Sequence, residues 1–312
     1  MVEPDNHYVP LSPRLMVQLA APHTWAASIM PVMFALALSL AHNAAAGSET
    51  SALMVCVLLA ISILFQSAVN TLNDYFDYAK GTDTLDNQPD ATDAVLVYNN
   101  VNPKHVLAFA LSLVVLAFAL GVYCIVVAGW IPLLIGLIGA AIVYLYSGSP
   151  LPISYLPLGE VVSGFVMGGL ITLASYVCLT TSFAWEVLAM SIPLMIGIGL
   201  IMFTNNGCDI DKDIPAGRKT LAVLLGYKRM RIAYKVLVAV WFVSICALVV
   251  AYFRPGWPVL AFMLLAVHAP GRALLANPLV PKSRAQALAQ CTGLNIMLGS
   301  FYAAAVLASA LF

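Results

Sequence analysis

The sequence predicts an all-α, polytopic membrane protein of about nine transmembrane helices surrounding a central cavity open to the cytoplasmic side. Three observations predict it. The 312 residues are 62% hydrophobic and 9% charged, with a mean hydropathy of +0.94, whereas an ordinary soluble domain carries roughly 25% charge. Apolar runs of about 20 residues, the length that crosses hydrocarbon as a helix, recur along the whole chain. With nine spans and a cytoplasmic N-terminus, every Lys and Arg of the 14 falls on the cytoplasmic side except Arg254, the bias expected of an inner-membrane protein.

In chain order, residues 1–22 hold no span and form a cytoplasmic N-terminal segment. They lack the basic region, apolar stretch and cleavage site of a signal peptide, so the first helix is expected to be retained. Spans are expected at 24–43, 50–73, 105–127, 129–147, 159–181, 186–206, 231–253, 256–274 and 287–311. Gly and Pro inside "GWIPLLIGLIGAAIVY" and "MSIPLMIGIGL" are tolerated where neighbouring helices satisfy the loosened backbone. The connections 73–104 and 207–230 become cytoplasmic cap loops of one domain covering 1–312.

Net charge is zero, so no global field recruits nucleic acid. The six cysteines, Cys56, Cys124, Cys178, Cys208, Cys246 and Cys291, form no C-x-x-C pair and have no metal-ligand spacing. His42, His105 and His268 are isolated near helix ends. The run Lys228, Arg229 and Arg231 reads as topology charges at the start of the seventh span.

The acids are not scattered. Of 14 Asp and Glu, nine stand in two clusters, Asp74, Asp77, Asp83, Asp86, Asp90 and Asp93 after the second span, and Asp209, Asp211 and Asp213 after the sixth. Spans four apart run in the same direction, so both clusters lie at one membrane face. Asn70, Asn73, Asp74 and Asp77 stand at i, i+3, i+4 and i+7, and Asn206, Asp209 and Asp213 at i, i+3 and i+7, each set predicting one polar stripe on a helix. Carboxylates at a membrane boundary are costly unless solvated or paired, and Lys80 is the one cation within 73–93. Metal ions are the partners that fit. All-oxygen donors favour Mg²⁺ or Ca²⁺, and Mg²⁺ prefers one or two carboxylates together with phosphate oxygens. Two facing acidic stripes would hold metal around a diphosphate. Asp86, Asp90 and Asp93 also fit a solvated acidic loop.

"NDYFDYAKGTD" (73–83) and "NNGCDIDKDIPAGRKTLAVLLG" (205–226) resemble the two aspartate-rich signatures of the UbiA superfamily of intramembrane prenyltransferases. "YSGSPLPISYLPLGE" (146–160) and "PHTWAASIMPV" (22–32) resemble its menaquinone-pathway branch, whose bacterial members prenylate 1,4-dihydroxy-2-naphthoate. The resemblance covers nearly the whole chain. It implies an enzyme that uses Mg²⁺ to transfer an isoprenyl chain from a polyprenyl diphosphate to an aromatic acceptor, by ionisation of the diphosphate and alkylation of the ring.

Carried over residue by residue, the resemblance implies that Asn73, Asp77 and Asp83 hold one Mg²⁺ and Asp209 and Asp213 another. Lys80, Lys212, Arg218 and Lys219 face the diphosphate, and Tyr146 stands beside the reacting centre. Asn70 and Asn206 are supporting polar groups. Glu160 either favours a helix N-terminus or meets the acceptor. Asp74 has a weaker claim, and Asp211 points away from Asp209 and suits a loop contact.

The chain also departs from that branch. Leu151 stands where a Lys or Arg is usual, Ala21 and His23 flank Pro22 where basic residues are frequent, and the segment 84–103 has no cation. The acceptor therefore stays open between a naphthoate, a benzoate-type and a non-aromatic compound. A cation-coupled transporter predicts acids near mid-membrane and often inverted repeats; here the acids lie at one face. A catalytically degenerate binder is the other alternative.

Overall fold

The computed structural model describes residues 8–81, 84 and 94–311. The helices in order are α1 (Pro13–Ala20), α2 (Ala26–Ala46), α3 (Ala52–Ala79), α4 (Val95–Asn99), α5 (Pro103–Ala128), α6 (Ile131–Val143) and α7 (Gly159–Ser163). They continue as α8 (Ile171–Thr180), α9 (Glu186–Met190), α10 (Ile192–Cys208), α11 (Ile210–Asp213), α12 (Leu221–Tyr252), α13 (Trp257–Ala276) and α14 (Arg284–Leu311). A π-helical turn, Tyr144–Gly148, extends α6, and another, Gly164–Leu170, joins α7 to α8 as one rod.

The starts of these helices follow local chemistry. Ser12, Ser51, Asn102 and Thr220 each accept a hydrogen bond from a backbone N–H of the first turn of α1, α3, α5 and α12, satisfying donors that a helix start leaves over. Gly47, at φ 68°, ends α2 in the left-handed conformation that glycine adopts at no steric cost. Gly226, at φ 66° and ψ 164°, breaks α12 after its first turn. The segment 207–230, expected as a loop, thus contains α11 and the start of α12.

Among the described residues, eight helical runs are long and apolar enough to cross a membrane, so the protein is multi-pass. The count differs from nine at 186–206. There Ser191 separates α9 from α10, its hydroxyl donating to the Leu188 carbonyl at 2.9 Å, and α10 alone has 17 residues. Pro193 at the start of α10 lacks an N–H, so the chain restarts its helix after the break.

One half of the bundle is solid. Phe34, Phe203, Tyr234, Trp241 and Tyr302 are fully buried between α2, α10, α12 and α14, and the Phe34 and Tyr302 rings stack at 4.4 Å. The other half, α3, α5, α6 and α8, encloses an apolar cavity of about 500 Å³. It runs beside α3 from Leu58 to Asn73, about 22 Å at 1.5 Å per residue. At the Asn73 end, the N-terminal segment and α4 form a cap, with Leu15, Leu19, Val95, Leu96 and Val101 in one apolar cluster.

The α7–α8 rod lies against α10 through glycine. A Cβ on Gly164 would stand 2.4 Å from the Met195 carbonyl oxygen, and one on Gly168 2.5 Å from the Met195 nitrogen. Such contact is the small-residue packing that draws membrane helices together. Gly168→Ala is expected to cost about 1–3 kcal/mol through overpacking; thermal unfolding in detergent measures it, and an unchanged midpoint contradicts the packing role.

Candidate active site

The C-terminal half of α3, the 144–160 segment and the turn after α10 converge at the capped end of the cavity. Asn73 and Asn70 line the cavity together with the Tyr146 ring. Asn73 Oδ1 accepts a hydrogen bond from the Ser147 hydroxyl. Asn70 donates to the Ala20 carbonyl at 3.0 Å and to Thr24 Oγ1 at 2.8 Å, tying the N-terminal segment to α3. The π-turn 144–148 brings Ser147 and Ser149 to Lys80, whose ammonium donates to both carbonyls. Partial burial pulls the Lys80 ammonium below its usual pKa range, against the opposing effect of Asp77.

The expected stripe on α3 divides in two. Asp74 is buried and accepts from the Val95 N–H at 2.7 Å and the Leu96 N–H at 3.4 Å, so it anchors α4 in the cap. Asp77, half-buried, lies within electrostatic reach of Lys80, Tyr146 and Arg218. Asp83, with Asp86, Asp90 and Asp93, lies outside the described residues.

The second stripe divides as well, for a backbone reason. Helix α10 stops at Cys208, and Asp209 has φ −105° and ψ 13° before α11 resumes. Asn206 and Asp213 meet Glu160 and Arg218 of the site, and Asp209, within electrostatic reach of Asp213, also pairs with α14. Its Oδ2 is 3.2 Å from Arg284 Nε. Asp211 contacts Tyr227, the peripheral place expected for it.

Asp213 is 1% exposed. Its Oδ1 accepts from Arg218 Nη1 at 3.3 Å and its Oδ2 from Thr220 at 3.4 Å. Burial pushes its carboxyl above the usual range, and Arg218 works against that shift. The Arg218 guanidinium stacks on Tyr155 at 4.9 Å. Burial disfavours its charge, yet Asp77 and Asp213 more than offset this, so its pKa is raised. Lys219 is exposed, and its backbone N–H donates to the Tyr155 carbonyl at 2.8 Å. Lys80 and Lys212 line an outer cleft with Leu151 and Tyr155.

Glu160, 5% exposed at the head of α7, accepts from Asn206 Nδ2 at 2.8 Å through Oε1. It lies close enough to Tyr146 to act on its hydroxyl electrostatically. Among the described residues, two buried side-chain polar atoms lack a hydrogen-bond partner, Glu160 Oε2 and Arg218 Nε. Both belong to this site. Buried polar groups are nearly always satisfied, so such atoms point to something a ligand completes.

The donors gathered here, Asn73, Asp77, Glu160 and Asp213, are all hard oxygens, which fits Mg²⁺ rather than a softer metal. Among the described residues no three His, Cys, Asp or Glu side chains are grouped tightly enough to hold an ion by themselves. That suits an ion which takes one or two carboxylates and completes its shell with phosphate oxygens.

Sequence reasoning missed Ser147, Asn205 and Arg284. Ser147 gives no signal of its own, because a π-turn is what aims it at Asn73. Arg284 did carry one, a cation at the first position of a long helix, where the macrodipole disfavours it.

Fold and site define a multi-pass membrane protein with a polar, charged head site over a long apolar cavity. The chain belongs to the UbiA prenyltransferase family, which matches residues 28–310, and it is a prenyltransferase. It is 34% identical over 250 residues to 1,4-dihydroxy-2-naphthoate octaprenyltransferase of Bacillus subtilis, covering 80% of this chain and 78% of that one. It is 28% identical over 213 residues to 2-carboxy-1,4-naphthoquinone phytyltransferase of Synechocystis, covering 65% and 66%. Its fold matches a UbiA homolog from Archaeoglobus fulgidus bound to GPP and Mg²⁺, with a TM-score of 0.64 at 15% identity over 94% of this chain and 99% of that one. The resemblance read from the motifs thus holds for the family and extends to relatives named for 1,4-dihydroxy-2-naphthoate and for 2-carboxy-1,4-naphthoquinone.

The two acids of the first motif are separable. Asp74→Ala strands two buried N–H groups and is expected to cost about 1–3 kcal/mol, read as a lowered unfolding midpoint. Asp77→Ala leaves that midpoint near wild type; a large drop would make Asp77 structural. Leu151 is 68% exposed, so Leu151→Lys is expected to change stability by less than about 0.5 kcal/mol, and failure of the variant to express folded would contradict that.

Proposed function

We propose that this prenyltransferase moves an isoprenyl chain from a polyprenyl diphosphate to 1,4-dihydroxy-2-naphthoate, with Mg²⁺, at the cytoplasmic face of a bacterial-type inner membrane and with its N-terminus inside. The observation that carries this is the pair of orphaned buried atoms at one site. Arg218 Nε offers a donor suited to a phosphate oxygen, and Glu160 Oε2 an acceptor suited to a hydroxyl. Both stand at the head of a cavity whose walls suit an isoprenoid tail. Similarity to relatives named for a dihydroxynaphthoate and a carboxynaphthoquinone favours this acceptor over a benzoate-type or non-aromatic one.

In this reading Asn73, Asp77, Asp209 and Asp213 hold Mg²⁺, with Asp83 as a further ligand. Bound there, Mg²⁺ neutralises charge that develops on the diphosphate. Arg218 and Lys80 meet the diphosphate directly, with Lys212 and Lys219 at the outer edge. As the bond from the allylic carbon to oxygen breaks, its electron pair leaves with diphosphate. Positive charge then spreads over the allyl group, and the Tyr146 ring beside it stabilises that charge. Glu160, oriented by Asn206, accepts a hydrogen bond from the acceptor's hydroxyl and turns the ring carbon toward the cation; ring π electrons form the new carbon–carbon bond, and that carbon then loses its proton, or its carboxyl group as CO₂, to restore the aromatic ring. Apolar walls keep water from intercepting it. Asn70 keeps the N-terminal segment closed over the site.

Purified protein with Mg²⁺, mixed isoprenyl diphosphates and 1,4-dihydroxy-2-naphthoate is expected to give a prenylated naphthoate by mass spectrometry, abolished by EDTA. Asp77→Ala and Asp213→Ala are expected to lower kcat by about 100-fold or more. Full activity in either variant, or product in EDTA, overturns the metal assignment. Diphosphate release without a naphthoate product overturns the acceptor alone.

A further inference from the structure

We infer that Arg284, in the last helix and outside every acidic or basic motif, is a positioning residue that orients Asp209 and, through it, the part of the site that grips the diphosphate. The inference rests on the transfer reading above. Arg284 Nε donates to Asn205 Oδ1 at 3.0 Å and stands 3.2 Å from Asp209 Oδ2. It thereby ties the last turn of α10 to the break residue that precedes α11. The two charged side chains are 14% and 17% exposed, so they meet largely away from water.

The position argues against an incidental contact. Arg284 opens α14, a helix of 28 residues with no acid in its first turn, where a cation opposes the helix macrodipole. It is also largely desolvated. A residue that breaks two local preferences at once is expected where function demands it. The demand is visible at Asp209, whose backbone is non-helical and whose carboxylate direction is therefore set by its side-chain partners.

Asp209 is also the pivot of the second motif. Its carbonyl accepts from the Lys212 N–H at 3.0 Å and the Asp213 N–H at 2.8 Å, starting the turn that presents Asp213 to Arg218. Rotation at Asp209 moves that turn. Arg284 thus links α14 to the Asp213–Arg218 pair and supplies, from the end of the chain, a cation in a protein that lacks them at Ala21, Leu151 and 84–103.

The test uses the full chain in detergent and measures Mg²⁺-dependent binding of inorganic diphosphate by calorimetry, alongside steady-state kinetics. Arg284→Gln is expected to fold, to bind diphosphate about tenfold or more weakly, and to lose donor kcat/KM in parallel while the acceptor KM stays unchanged. Arg284→Lys keeps the charge but loses the planar guanidinium whose Nε–H lies between the two oxygens, and falls in between. Wild-type diphosphate affinity in Arg284→Gln overturns the inference. So does an equal loss in both variants accompanied by lowered unfolding midpoints, which marks a purely structural role. If Arg284→Gln does not fold, wild-type affinity in Arg284→Lys overturns it. Wild-type protein that binds no diphosphate in Mg²⁺ overturns the transfer reading, and the inference with it.

Discussion

Arg218 is the interaction on which the polar end of the molecule depends. Its guanidinium lies between Asp213 at 3.3 Å and the Tyr155 ring at 4.9 Å, within electrostatic reach of Asp77 on α3. Three segments far apart in sequence meet there, and each brings a group that is costly to bury alone. A buried carboxylate without a partner is strongly destabilising, so Asp213 at 1% exposure requires this cation. Arg218 in turn keeps a donor that the protein leaves unsatisfied. Charge balance is close enough to hold the fold and incomplete enough to receive an anion.

The two halves of the bundle divide the labour. Stacked aromatics between α2 and α14 make a rigid wall. Against it the α7–α8 rod is fixed by glycine contacts with α10, which sets Glu160 opposite Asn206. The other half packs through a smaller cluster that includes Met54, Leu58, Cys124 and Cys178 and leaves the cavity beside it. In the run from Ile131 to Gly148 only Pro132 is buried, because the other side chains face either the cavity or the outside of the bundle. An apolar cavity is costly in water, but in a bilayer lipid tails or an isoprenoid can fill it.

Much of this was legible from residue order. Composition and apolar runs of membrane length give the bundle, and the acids at one face give the head site. What residue order does not show has two causes, local breaks in helical geometry and contacts between segments distant in sequence. Helical periodicity carried through Asp209 puts Asn206, Asp209 and Asp213 on one face, but it does not show the non-helical backbone at Asp209 or the pairing of its carboxylate with Arg284 from α14. Periodicity likewise groups Asp74 with Asp77, yet Asp74 is consumed by two N–H groups of α4, a contact across 21 residues that spacing does not show. The ninth expected span is interrupted at Ser191. π-turns at 144–148 and 164–170 shift register by a residue, and no residue type marks them as Pro marks a kink.

The most direct test is a structure of the protein with Mg²⁺ and a non-cleavable isoprenyl thiolodiphosphate. The diphosphate is expected between Asn73 and Asp77 on one side and Asp213 and Arg218 on the other, with the tail running beside α3 toward Leu58. A head group away from Asp77, Asp213 and Arg218, with the tail outside the ring of helices, would contradict it.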